Sequence, residues 1–267
     1  MAITTVDDIA SALSGSQNID FLKTLTAAKA AGAFQSGWMA SGNPGAGSAS
    51  PAYTAGAGYT CDKSTAGAIR LTNGAVQLYL ARLATSITQP GTLILYDRLW
   101  SCSGFPFGAG TYAITTPGSL PARISDNGVD VEAWVEQFVA AGAASGTLTF
   151  NYTNANTGAA KAGVIAAVVS APVTGQLQPI PIVAGDTGVR APVSVVTSAT
   201  WTSGSFGLTL MKPMARIQVG VAAAGNQLDW AGTGLARIPA DACLMLVYLA
   251  ANTTAATIIG TMDIIDK

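Results

Sequence analysis

The chain has 267 residues, 13 Lys and Arg against 14 Asp and Glu, a net charge of −1, 49% hydrophobic residues and no histidine. Without an imidazole there is no Ser-His-Asp or Cys-His triad and no histidine-bearing zinc site, and the scattered basic residues make no electrostatic footprint for nucleic acid. Only 10% of residues are charged, against about 25% in an ordinary soluble domain; the depletion favours a surface covered by neighbouring subunits, the alternative being an Ala/Gly-rich soluble protein from a GC-rich genome, which accounts for much of the Ala count.

The opening MAITTVDDIASAL carries acids where a secretory signal needs basic residues. Thr5 is placed to cap a short helix with Asp7 and Asp8 in its first turn. Ser16 is placed to cap a second helix ending at Gly32. In it Ile19, Leu22 and Leu25 make a narrow apolar stripe, with Lys23 and Lys29 on the polar side. Residues 36–68 are rich in Gly, Ser, Ala and Pro, yet carry Trp38, Met39, Tyr53 and Tyr59. That mixture reads either as an extended arm anchored on a neighbour by these side chains or as an Ω-type loop on its own domain. The expected division is an N-terminal helix and Gly/Ala/Ser-rich arm over 1–68 and a β domain over 69–267.

From residue 69 onward, strands are expected at 75–88, 91–100, 110–116, 129–140, 146–153, 163–170, 177–184, 192–200, 205–219, 243–250 and 256–265, separated by Gly, Pro, Asn and Asp turns. With no helix-length pattern between them, the fold class is all-β: an antiparallel, jelly-roll-like sandwich with an N-terminal helical segment and extended arm. The uncharged run Ala242–Met262 contains Asn252, Thr253, Thr254, Thr257 and Gly260 and has no basic flank, so it reads as two strands around a polar turn rather than a membrane helix.

Along 129–139, Val129, Val131, Ala133, Val135 and Val139 alternate with Asp130, Glu132, Trp134, Glu136 and Phe138. The first set reads as a core face and the second as a wet or intersubunit face, with Trp134 and Phe138 as interface candidates. Alternate carboxylates on a strand lie about 7 Å apart, near the spacing of glycosidase acid pairs. Such pairs usually come from different strands, however, and a charged strand face is normally just solvated. Asp97–Arg98 and Arg237–Asp241 read as ion pairs fixing a turn or an interface register. Cys61, Cys102 and Cys243 have no CxxC spacing and allow at most one disulfide, Cys61–Cys102 being the pairing considered. The Gly-rich stretch from Gly104 to Gly110 lacks the Gly-Lys-Ser/Thr of a phosphate loop. No catalytic residue, metal or cofactor is expected.

The segments Tyr79–Leu83, Gly91–Trp100, Thr116–Arg123 and Thr147–Asn154 resemble tailed-bacteriophage virion proteins, mainly over residues 75–155. The likeness is general and brings no functional residue with it. It implies a capsid decoration or cement protein, a β-sandwich subunit made in the host bacterial cytoplasm and carried on the virion. Its implied partners are the major capsid protein and copies of itself as a dimer or trimer, with no nucleic acid and no membrane. The alternative from another class is a carbohydrate-binding adhesin or tail-tip module acting through Trp134, Trp201 or Trp230.

Overall fold

Period-two alternation of apolar side chains builds nearly the whole molecule. The computed structural model describes residues 3, 5–49, 57–72, 77–106, 108–114, 120–143, 146–198 and 203–266. In chain order they form α1 (Val6–Leu13), β1 (Gln17–Thr24), β2 (Phe34–Ser36), β3 (Ser41–Asn43), β4 (Tyr59–Thr60), β5 (Leu78–Ile87) and β6 (Gly91–Pro106). Next come β7 (Gly110–Ala113), β8 (Glu132–Val139), β9 (Leu148–Asn154), β10 (Ala160–Ile165), β11 (Gln176–Ile180), β12 (Val189–Thr197) and β13 (Ser205–Val219). The chain ends with β14 (Gly225–Leu228), α2 (Trp230–Thr233), β15 (Arg237–Ile238), β16 (Leu244–Ala250) and β17 (Thr257–Asp266). The fold is all-β, antiparallel and sandwich-like, and each of the eleven expected strand segments overlaps a strand.

The strands form three sheets. One has the order β14-β5-β17-β1-β3, with β15 also on β5, and another has the order β10-β9-β12-β7. The third runs β13-β8-β11-β2-β16-β6-β4, and because β13 also pairs with β6 its first six strands close into a ring. Closure leaves the ring with no free edge among those six strands. Each of the other two sheets packs against one outer side of this small barrel.

The result is three cores in a row. Leu93 and Leu95 of β6, Ile217 and Val219 of β13, and Leu244, Leu246 and Tyr248 of β16 face Leu80, Leu83, Ile258 and Met262 of the first sheet. Cys102 and Phe105 of β6, Phe206, Leu208 and Leu210 of β13, and Val135 of β8 face Leu148, Phe150 and Val195 of the four-stranded sheet. Between these two cores, Ile94, Tyr96, Trp134, Phe138, Leu177, Met211, Met245 and Val247 fill the barrel lumen. The strands β6 and β13 are long enough, at 16 and 15 residues, to serve both outer cores. A bulge where Leu210 faces Trp100 and Met211 faces Arg98 skips Leu99 and resets the alternation between them.

The first expected helix is present. Thr5 caps α1 and Asp8 returns the bond to the Thr5 N–H. The second is not: residues 17–24 are a strand held between β17 and β3, with eight consecutive residues in register on β17. Sheet pairing overrides the local i, i+3 stripe, since a short helix in water is marginal and its packing partner decides. Phe21 and Lys23 point inward, and the Lys23 amine donates to the carbonyls of Ala40, Pro44 and Gly45 at 3.2, 2.9 and 3.3 Å instead of facing water.

Residues on the two sides of the expected boundary at 68 share cores. Phe21 and Leu25 belong to the cluster of Leu78 and Leu80, and Trp38 belongs to the lumen with Met211 and Met245. The glycines near Trp38 have a steric purpose. A Cβ on Gly47 would lie 2.5 Å from the Trp38 indole, and one on Gly58 would lie 2.2 Å from that of Trp100. The chain lies flat on two tryptophans, and only glycine permits that approach.

Candidate functional site

Polar chemistry collects in the barrel lumen. Alternation along β8 brings Glu132, Trp134, Glu136 and Phe138 to one face, as the sequence pattern predicts. That face lines the lumen, however, and the expected wet or intersubunit acidic face is corrected. A strand with partners on both faces buries its polar set together with its apolar one. Glu136 is fully buried. It receives Nη1 of Arg98 at 2.7 Å and the Thr209 hydroxyl at 2.5 Å on one oxygen, and the Ser36 hydroxyl at 2.7 Å on the other. Arg98, from β6, is equally buried and stacks over the Trp38 ring, 4.5 Å from its centroid. Nε and Nη2 of Arg98 make no hydrogen bond.

The expected Asp97–Arg98 pair is replaced by two others, because successive strand residues point to opposite faces. Arg98 enters the lumen, while Asp97 takes a two-pronged bond from Arg123 at 2.8 and 2.9 Å. Arg123 also donates to the carbonyls of Cys61 and Arg98. Asp241 lies 3.6 Å from Arg123 and has no salt bridge to Arg237 among the described residues. Burial raises the Asp97 carboxyl from its ordinary range, opposed by its bonds to Arg123. The Arg98 guanidinium is held above its usual value by the Glu136 charge, against the cost of burial. Sequence reasoning missed Arg123, Ser36 and Thr209. For Arg98 a signal exists, since Ile94, Tyr96 and Arg98 share one parity in a strand apolar on both faces.

At the lumen mouth a cleft of about 570 Å³ is lined by Phe34, Tyr96, Glu132, Trp134, Pro179 and Arg216, among others. Glu132 accepts from the Tyr96 hydroxyl at 2.8 Å and from Trp134 Nε1 at 3.1 Å. Burial, reinforced by the Glu132 charge, raises the Tyr96 hydroxyl. Asp130 also lines this cleft, but from a turn residue with φ of +61° outside the strand. The three carboxylates therefore have three different surroundings, and only Glu132 and Glu136 share the strand face. Among the described residues no three His, Cys, Asp or Glu side chains group as metal ligands.

The interface candidates are distributed as follows. Trp38, Trp134 and Phe138 are buried within the chain's own lumen, with Met39 partly buried against them. Trp38 Nε1 donates to the Ser48 carbonyl. Tyr59 is exposed, its hydroxyl 3.5 Å from that of Thr65. Tyr53 lies outside the described residues. Of the tryptophans weighed for sugar binding, Trp134 is turned inward, Trp230 is exposed on α2, and Trp201 lies outside the described residues. The cysteines are all free thiols and buried, and the Cys102 thiol donates to the Ala57 carbonyl at 3.0 Å rather than meeting Cys61. No helix among the described residues is long and apolar enough to cross a membrane.

No protein-family model and no curated protein matches the chain. Solved structures give low-level likenesses. A structure of the Gt strain of infectious bursal disease virus is 8% identical over 94% of this chain and 80% of that chain, with a TM-score of 0.21. A VP2 subviral particle of the same virus gives the same values. The Gx strain gives 9% identity, 93% and 80% coverage and a TM-score of 0.22. At scores this low the likeness carries no argument about fold or function.

Proposed function

We propose that the chain is a non-enzymatic structural protein of a viral particle, and more narrowly a capsid decoration or cement protein of a tailed bacteriophage. It stabilises the shell by contacts with the major capsid protein and with copies of itself as a dimer or trimer. One observation carries this reading. The chain is 10% charged, and several of those charges are sealed inside: Lys23, Asp97, Arg98 and Glu136 are buried. The outer surface is therefore poorer in charge than the composition alone implies, while Val139, Val221 and Ile259 are exposed on it. Depletion of charge marks the centre of protein–protein interfaces, and a free monomer usually relies on surface charge for solubility. The resemblance over residues 75–155 supports the phage assignment.

Quantitative mass spectrometry of purified particles tests the reading. A decoration protein is expected in hundreds of copies, commensurate with the major capsid protein. A handful of copies per particle would favour the adhesin or tail-tip alternative, and absence from particles would overturn the virion assignment.

A further inference from the structure

We infer that Cys61 and Cys243 are a matched thiol pair, an oxidation site that a small-molecule disulfide converts to an intrachain bond. The inference stands independently of the proposed virion role. The strand β6 has two edges, and β13 occupies one of them along nearly its whole length. Both β16 and β4 must therefore lie on the other edge, end to end. In that line Leu244 faces Asp97 and Thr60 faces Trp100. One residue further in each case, the Cys61 N–H donates to the Leu99 carbonyl at 3.0 Å and the Arg98 N–H to the Cys243 carbonyl at 2.8 Å. The two cysteines thus sit opposite successive residues of one strand edge, brought there by the bulge at Leu99. Neighbouring positions on one strand edge are about 3.3 Å apart, which keeps the two cysteines inside the upper limit of about 6.8 Å between Cα atoms that a disulfide spans.

Both thiols are buried in the lumen cluster. Interaction with Cys243 and with the Arg98 cation pulls the Cys61 thiol below its usual range against the cost of burial, while interaction with Cys61, then burial, pushes Cys243 up. Cys61 is the nucleophile of the pair and Cys243 the resolving thiol. A reagent reaches Cys61 through a cavity of about 430 Å³ between Trp38, Tyr59, Thr65 and Ser101. The Cys61 thiolate attacks one sulfur of the reagent disulfide, whose S–S bond breaks, and the expelled thiolate takes up the proton Cys61 gave to solvent. Cys243 then loses its proton, attacks Cys61 Sγ in the mixed disulfide, and expels the second reagent thiol. Two protein thiols are oxidised and one reagent disulfide is reduced to two thiols. The new bond ties the segment carrying β4 to β16. Cys102 is the internal control: its thiol bonds the Ala57 carbonyl, and burial pushes it up to about 12.

The test treats the native full-length chain with oxidised glutathione, quenches with acid, then alkylates under denaturing conditions for intact-mass and peptide analysis. The expected product has lost two hydrogens, carries one alkyl group, on Cys102, and yields a crosslinked peptide joining Cys61 to Cys243. Cys61→Ser abolishes both steps. Cys243→Ser stops at a stable glutathione adduct on Cys61 alone, and a Cys102 that stays unmodified shows that the variant has kept its fold. A bond to Cys102, a persistent adduct on wild-type Cys61, or three alkylatable thiols after oxidation at pH 8 would each overturn the proposal.

Discussion

The lumen and the two flanking cores are built by the same strands and differ in kind. One face of β6, β13 and β16 meets aliphatic and aromatic side chains of a covering sheet. The other face meets Arg98, Glu136, Thr209 and Ser36. Dry cores derive stability from the apolar area they bury and tolerate many arrangements of similar volume. The lumen costs desolvation of two ions, offset by the bonds Glu136 receives from Arg98, Thr209 and Ser36, while Nε and Nη2 of Arg98 receive no such compensation. A closed ring of strands from distant parts of the chain needs one register, and a buried ion pair with two hydroxyl partners accepts only that register. The difference teaches that the polar set on a β8 face can specify assembly of the fold rather than contact with water.

Breaking the lumen should have the largest effect. Arg98→Ala leaves the Glu136 carboxylate buried without its counter-charge, and a loss of about 3–5 kcal/mol is expected in denaturant unfolding. Arg98→Met should cost clearly less when made in a Glu136→Gln background than in the parent, because the orphaned charge is then gone. Strict additivity in that cycle would mean the two side chains are not coupled.

A dry-core truncation sharpens the contrast. Leu246→Ala, facing the first sheet, should lose about 2–5 kcal/mol by transfer and cavity terms. No second-site change at a charged residue should rescue it. Recovery by Glu136→Gln would erase the distinction between the two environments.

Gly47→Ala probes the lid over the lumen. Its Cβ would press on the Trp38 indole, so a loss of about 1–3 kcal/mol is expected, with altered tryptophan fluorescence. An unchanged midpoint and spectrum would show that this segment does not bear on the ring.

The surface pair Lys212–Asp126, at 2.6 Å, should give the smallest effect. Hydrogen bonding and the charge of Lys212 hold the Asp126 carboxyl below its ordinary value despite partial burial. The folded state therefore binds this proton less readily than the unfolded state. The contribution is present above the unfolded carboxylate value and is lost as pH falls through the folded one. Lys212→Ala should cost at most about 1 kcal/mol at neutral pH, with the difference from the parent vanishing in acid. A difference that grows in acid would contradict the sign.

Much of the strand content was legible in the residues themselves. The segment 205–219 coincides with β13, and 243–250 and 256–265 lie within a residue of β16 and β17, because alternation bounded by turn residues is a local signal. The composition alone also excluded imidazole chemistry, and Thr5 with Asp8 marked the first helix. Residues 17–24 were not legible, because their i, i+3 stripe is compatible with a helix until β17 offers an edge. The Gly-rich stretch around Trp38 was not legible either, since contact between glycine and indole leaves no period in the sequence.

The sequence by itself determined an all-β chain with few charges, and the places where most of its strands begin and end, because these follow from side-chain alternation and turn chemistry within a few residues. Only the tertiary structure decided which faces are inside. Ring closure between β6 and β13, which are about a hundred residues apart, turned the acidic face of β8 inward. It also gave Glu136 to Arg98, and the bulge at Leu99 brought Cys61 beside Cys243. Those partners are set by the pairing of distant strands, and no local pattern of residues encodes them.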